Sequence, residues 1–402
     1  MKMGLYKLNN PLKHYAWGSP DFIPRLLGRE PDPALPVAEM WMGAHPAGSS
    51  SLRTPQGEIS LRDFIAAAPD RILGRGAELA EGQLPFLLKV LAAERPLSIQ
   101  AHPSAAQARL GWERENSLNL AADSPLRNYR DPRAKPELLC ALTEFTALCG
   151  FRAWSEVAEN LRAAGLATCL KSYLAFATHQ NRNWFQRLAL ELLSLREDAL
   201  RSALAALKRA LQDGSGLDPA IRDCCLLLLE FYPEDAGVFA PLYLNLFTLR
   251  PGEALFLAAG VPHAYLHGAG IEIMGNSDNV LRGGLTPKHV DGEELARILD
   301  FGPYVGKPVE KDVVSPFSCI YRTPAREFEL RNVTLVTGWS LVDNELRDPL
   351  IVFCGEGSAT LSSGGENLDL ETGEAAFVTA DSRDLSMHGC AELWLAMLPG
   401  QN

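Results

Sequence analysis

None of the eight cysteines stands in a C-x-x-C pair, which removes thiolate zinc sites and dithiol redox centres from consideration. Most lie inside apolar runs and read as buried, reduced thiols. No uninterrupted apolar stretch approaches the ~18 residues of a membrane span, and the opening Met1-Lys2-Met3-Gly4-Leu5-Tyr6-Lys7 has no apolar leader. Positive charge is also short. The 38 Lys and Arg against 49 Asp and Glu give a formal charge of -11, with no local basic patch to offset it, so a nucleic-acid surface is not expected. The expectation is a cytoplasmic protein with neither a membrane nor a nucleic-acid partner.

What is present is a globular composition, 47% hydrophobic and 22% charged over 402 residues, a length that suggests two or three domains. Residues 1–151 are punctuated by Pro and Gly, with β-like runs at Phe86 to Leu91 and Leu97 to Ala101. From 152 to 232 the chain is dense in Ala and Leu, which is helix composition. The clearest helix begins near Asp198, places Leu200, Leu204, Leu207 and Leu211 on one stripe, and ends before Gly214. β-like patterning resumes at Leu244 to Leu249 and Ala254 to Ala258.

A short repeat organises the rest, because Leu249-Arg250-Pro251-Gly252-Glu253-Ala254-Leu255-Phe256-Leu257 recurs as Leu370-Glu371-Thr372-Gly373-Glu374-Ala375-Ala376-Phe377-Val378. Strand, tight Gly turn, strand is the shared unit, and it resembles the hairpin of cupin-type barrels. The predicted fold is mainly β with a helical insertion: two cupin-like β-barrels of jelly-roll type plus a small all-α domain. The expected parts are 1–151 and 233–305 as one catalytic barrel, 152–232 as the insertion, and 306–402 as a C-terminal β-domain. Val261-Pro262-His263 after the first copy aligns with Ser382-Arg383-Asp384 after the second, so a ligand at His263 would have no counterpart there.

Four segments carry residues suited to chemistry. Gln100 and His102 are two apart on a β-like run and share a face, from which both could reach one ion, although such a pair equally describes a solvated strand face. Glu137 opens the apolar run Leu138 to Leu142 and could supply an anionic ligand. His263 and His267 have the i, i+4 spacing of a helical zinc pair, but Gly260, Pro262 and Gly268 disfavour a helix. On a strand they would stand roughly 13 Å apart, so only one is expected to bind, and His263 is preferred. Finally, Glu272, Asp278, Arg282 and Lys288 occur among glycines and turn formers, as polar groups at a barrel mouth do. Carboxylates there offer proton transfer, and Arg and Lys offer anion binding.

Together these segments resemble the type I phosphomannose isomerases, zinc enzymes of the cupin fold. The similarity runs through Tyr15-Ala16-Trp17-Gly18, Ala38-Glu39-Met40-Trp41-Met42-Gly43-Ala44-His45-Pro46, Leu87-Leu88-Lys89-Val90-Leu91, Ser98-Ile99-Gln100-Ala101-His102-Pro103, Lys135-Pro136-Glu137, Pro262-His263-Ala264-Tyr265 and Ser277-Asp278-Asn279-Val280-Leu281-Arg282-Gly283-Gly284-Leu285-Thr286-Pro287-Lys288. The resemblance implies one zinc ion held by Gln100, His102, Glu137 and His263. It implies Arg282 as the principal catalytic residue, with Lys89, Ser98, Lys135 and Lys288 around a sugar phosphate. The implied reaction interconverts mannose 6-phosphate and fructose 6-phosphate through a cis-enediolate. For the base, Glu272 is preferred over Lys288, with Asp278 as competitor and otherwise a substrate contact. A monomer or weak homodimer is expected. Two His and one carboxylate also form the ligand pattern of Fe(II) dioxygenases, and a sugar-binding double cupin without catalysis is a further alternative. Gln100 and the Lys/Arg cluster favour the isomerase.

Overall fold

The computed structural model describes residues 4–54, 57–121, 123–212, 214, 216–338, 340–343 and 348–400. Strands dominate on either side of a helical middle. Between Trp154 and Phe231 five α-helices follow one another, Trp154–Ala163, Tyr173–His179, Arg182–Leu193, Glu197–Gln212 and Pro219–Phe231. The Glu197–Gln212 helix buries Leu204, Leu207 and Leu211 as its 3.6-residue spacing requires, and Gly214 beyond it has the left-handed φ of 71° common after helix ends. Among the described residues no helix is long and apolar enough to cross a membrane.

The strands form two large sheets. The first centres on the long strand His263–Gly275, which pairs with Phe145–Phe151 near its start and with Phe86–Ala93 and Glu137–Ala141 further along. In the second, Leu350–Ser363 and Leu385–Met397 pair antiparallel over most of their length. The hydrogen-bonded order in each sheet does not return to its starting strand among the described residues. The expectation of two closed barrels is therefore corrected to open sheets, folded through long strands that each serve several neighbours. Short partners such as Ile99–Ala101, which meets His263–Gly275 only at His263, leave stretches of these long strands without the continuous ladder that closure needs.

The repeated hairpin is reproduced bond for bond. Gly252 and Gly373 adopt φ of 83° and 85°, a region open to glycine without strain. Glu253 accepts from the Arg250 N–H and Glu374 from the Glu371 N–H. The strands that follow, Ala254–Leu257 and Ala375–Val378, pair with Glu137–Ala141 and the start of Leu350–Ser363. One pairing has no trace in the sequence reading: Leu5–Asn9 joins Ala375–Val378, so an early strand lies in the sheet of the C-terminal part.

Candidate active site

A backbone irregularity sets which side chains face the site. His263 and Tyr265, two apart, point to one side of their strand, and regular alternation would send Glu272 to the other. The register against Phe145–Phe151 shifts where Thr146 meets His267 and Ala147 meets Tyr265. The extra residue reverses the alternation. Glu272 then faces Tyr265, whose hydroxyl donates to its Oε1 at 2.9 Å. His267 is left exposed on the outer surface, against a different groove.

Strand pairing brings the distant segments into one row. Gln100 is the Cα partner of both His263 and Arg282, on its two sides. Glu137 lies behind this row, with Oε1 3.3 Å from Nε2 of His102 and Oε2 3.4 Å from Nε2 of His263. Each imidazole is turned by its other nitrogen. Nδ1 of His102 donates to the Asn279 carbonyl at 2.7 Å, and Nδ1 of His263 donates to the Val261 carbonyl at 3.0 Å. A carbonyl can only accept, so in the neutral rings the proton sits on Nδ1 and both Nε2 atoms present lone pairs to a carboxylate that also has only lone pairs. Nε2 of His102 is buried without a hydrogen-bond partner among the described residues.

That convergence fits a cation. Tetrahedral zinc, with ligands near 2.0–2.1 Å, spaces neighbouring donors about 3.4 Å apart, and the three donor atoms here all lie within 4.8 Å of one another. Burial lowers the His102 pKa to about 4 against the pull of Glu137, keeping a ligand lone pair available at neutral pH. Burial alone would raise the Glu137 pKa, but His102 first and then Lys135, with Nζ at 3.1 Å, hold it well below the usual carboxylate range. Gln100 stands beside them and donates from Nε2 to the Ser98 hydroxyl at 3.2 Å, which turns its amide oxygen away from Ser98.

A cavity of about 570 Å³ opens in front of this cluster, lined by Lys89, Ser98, Gln100, Lys135, Glu137, His263, Glu272, Arg282 and Lys288. Of the residues singled out from sequence, His102 is buried behind the lining. Asp278 lies outside it, with Oδ1 3.4 Å from Nε2 of the buried His45. Lys89 is engaged: Nζ lies 2.9 Å from Glu272 and 3.4 Å from Glu39. Burial would depress its pKa, and those carboxylates reverse the shift and raise it. Burial lowers the Arg282 pKa, with Arg130 adding to the effect, and burial lowers that of Lys288, with Arg282 and Arg130 adding. Like charges gathered at one wall make that wall receptive to an anion.

The sequence reading gave no role to several lining groups, among them Glu39, Tyr232 and Tyr265. Glu39 and Tyr265 sit inside the segments that carry the family resemblance, and that was their one signal. Tyr232 closes the helical stretch and had none.

Residues 5–154 match the model of the catalytic domain of type I phosphomannose isomerases. The class so defined is a β-rich, cupin-like metal-site enzyme fold. The chain is 39% identical over 396 residues to mannose-6-phosphate isomerase of Shigella flexneri, covering 97% of this chain and 98% of that one. It is 32% identical over 407 residues to the human mannose-6-phosphate isomerase, covering 94% of each. The crystal structure of mannose 6-phosphate isomerase from Salmonella typhimurium bound to its substrate fructose 6-phosphate and a zinc atom matches at a TM-score of 0.90 and 37% identity, over 98% of this chain and 100% of that one. The chain belongs to the mannose-6-phosphate isomerase family.

Proposed function

We propose that this chain interconverts mannose 6-phosphate and fructose 6-phosphate, with zinc held by Gln100, His102, Glu137 and His263. The observation that carries the reading is the pair of Nε2 lone pairs directed at the two oxygens of Glu137, at 3.3 and 3.4 Å, in the strand row that holds Gln100 and Arg282. Zinc, when bound, supplies a Lewis acid that polarises the sugar oxygens next to the reacting carbons.

The chain's own residues do the rest. Isomerisation moves a proton between C1 and C2, and the carbon acid ionises only if the oxyanion beside it is stabilised. Arg282 places its guanidinium on the cavity wall, where it can meet charge developing on that oxygen. Glu272 takes the C2 proton and returns it to C1, with a cis-enediolate between the two steps, while the proton of the C2 hydroxyl passes to O1 so that the carbonyl moves from C1 to C2. Burial raises its pKa against the opposing charge of Lys89, which brings it nearer the range in which a carboxyl gives and takes protons readily. Lys288 binds the phosphate as a point charge, while Ser98 and Lys135 line the sugar's path. Lys89 holds Glu272 in place as much as it contributes positive charge.

A coupled assay with mannose 6-phosphate, run beside elemental analysis of the purified protein, tests the reading. Stripping the metal with a strong chelator is expected to lower turnover by about a hundredfold or more, with activity restored by zinc. An unchanged rate after verified metal removal contradicts the assignment.

A further inference from the structure

Arg282, on the short strand Leu281–Gly284, and Lys288 flank a turn whose shape is not self-supporting. Leu285 has a φ of 55°, a left-handed conformation that branched side chains rarely adopt. Such a residue persists only where its surroundings hold it.

What holds it comes from another part of the chain. Asp235, just past the last long helix, accepts from the Leu285 N–H at 2.9 Å through Oδ1 and from the Thr286 N–H at 3.1 Å through Oδ2. Oδ1 also accepts from the Gly237 N–H at 2.6 Å, which fixes the carboxylate on its own segment. The fit is tight on both sides. A Cβ at Gly284 would stand 3.0 Å from Asp235 Oδ1, and one at Gly237 would stand 2.7 Å from the Leu285 nitrogen. Successive backbone N–H groups around a left-handed residue form a concavity suited to an anion, and here the anion is a side chain of the protein. Leu285, Thr286 and Lys288 line the cavity, and the Thr286 hydroxyl accepts from the Lys288 N–H at 3.1 Å.

We propose that Asp235 is a positioning residue that clamps the Leu285–Thr286 turn and thereby fixes Arg282 and Lys288 on the cavity wall. Asp235 touches no reacting atom and acts through the backbone of the turn. The inference rests on the isomerase reading above, and it couples the end of the helical stretch to catalysis.

The test compares Asp235→Asn, which keeps one accepting oxygen, with Asp235→Ala, which keeps none. The kcat/KM for mannose 6-phosphate is expected to fall about tenfold in the first and toward a hundredfold in the second. Zinc content is expected to stay at the parent level, and hydrogen exchange is expected to accelerate in the 283–288 segment while the helices keep their protection. Parent-like kcat/KM and exchange in both variants overturn the proposal, as does a fall in activity that merely tracks lost zinc or lost helix protection. If neither variant folds, exchange in the parent decides, because rapidly exchanging amides at Leu285 and Thr286 would mean there is no clamp. A parent protein without isomerase activity refutes the proposed function instead, and the exchange result then still judges the clamp.

Discussion

Glu272 is 3% exposed, and both of its oxygens are taken, one by the Tyr265 hydroxyl and the other by Lys89. A base held from two sides is fixed in position, and fixed position is most of what proton abstraction from carbon needs. Glu272→Gln is expected to lower exchange of the substrate C2 hydrogen with solvent by a factor of about 100 or more. Near-normal exchange measured by NMR removes Glu272 from the role. Arg282→Lys retains the charge but loses the planar fork, and we expect kcat to drop by about 1–2 orders of magnitude with zinc content unchanged. Lys288→Ala is expected to raise KM more than it lowers kcat, since phosphate binding is shared by ground and transition states. The set of candidate metal ligands came from the family resemblance; from the residues alone, strand alternation only put Gln100 and His102 on one face, and the turn at Pro262 only favoured His263 over His267. The pairing of Lys89 with Glu39 and Glu272 was not, because it depends on which strands become neighbours.

At the scale of elements, the register shift against Thr146 and Ala147 does the most for the site. It lets a single strand, His263–Gly275, present a candidate metal ligand at one end and a candidate base further along on the same side. Nothing in the local sequence announces it, since Gly268 and Gly270 read equally as turn formers, and only the neighbouring strand fixes the register. The helices were far more legible. Their apolar period is local, and in Glu197–Gln212 the expected leucine stripe is the one that is buried, with Leu200 only partly covered. Leu207, fully buried on that stripe, is expected to cost about 2–5 kcal/mol when changed to Ala, read from a denaturant midpoint.

For the molecule as a whole, the cysteines give a readout of integrity. Cys390 is exposed, Cys169 and Cys319 are intermediate, and the remaining five are buried. Burial pushes the Cys140, Cys149 and Cys224 thiols up to about 12, so almost no thiolate exists there at pH 8. A thiol reagent at that pH is expected to modify Cys390 first, and the five buried thiols only after denaturant is added, as mass spectrometry can count. The repeated hairpin also explains why one group able to hold a metal ion, and no second, is found among the described residues. In the second copy Leu350 pairs with Val378 as Glu137 pairs with Leu257, so a leucine occupies the place of the carboxylate. The repeat and the mainly β class were legible in the sequence. The early strand's place in the far sheet was not, because period and turn chemistry say nothing about which distant edge a strand will join.

That placement has a cost during synthesis. Gly4 donates to the Thr379 hydroxyl across 375 residues of chain, so the Leu5–Asn9 strand leaves the ribosome long before its partner exists. Ser51–Thr54 can pair with one side of it early, but at about 5–20 residues per second the other edge waits tens of seconds for Ala375–Val378. Until residues 375–378 are made, that edge is an unpaired row of backbone donors and acceptors open to the wrong partner.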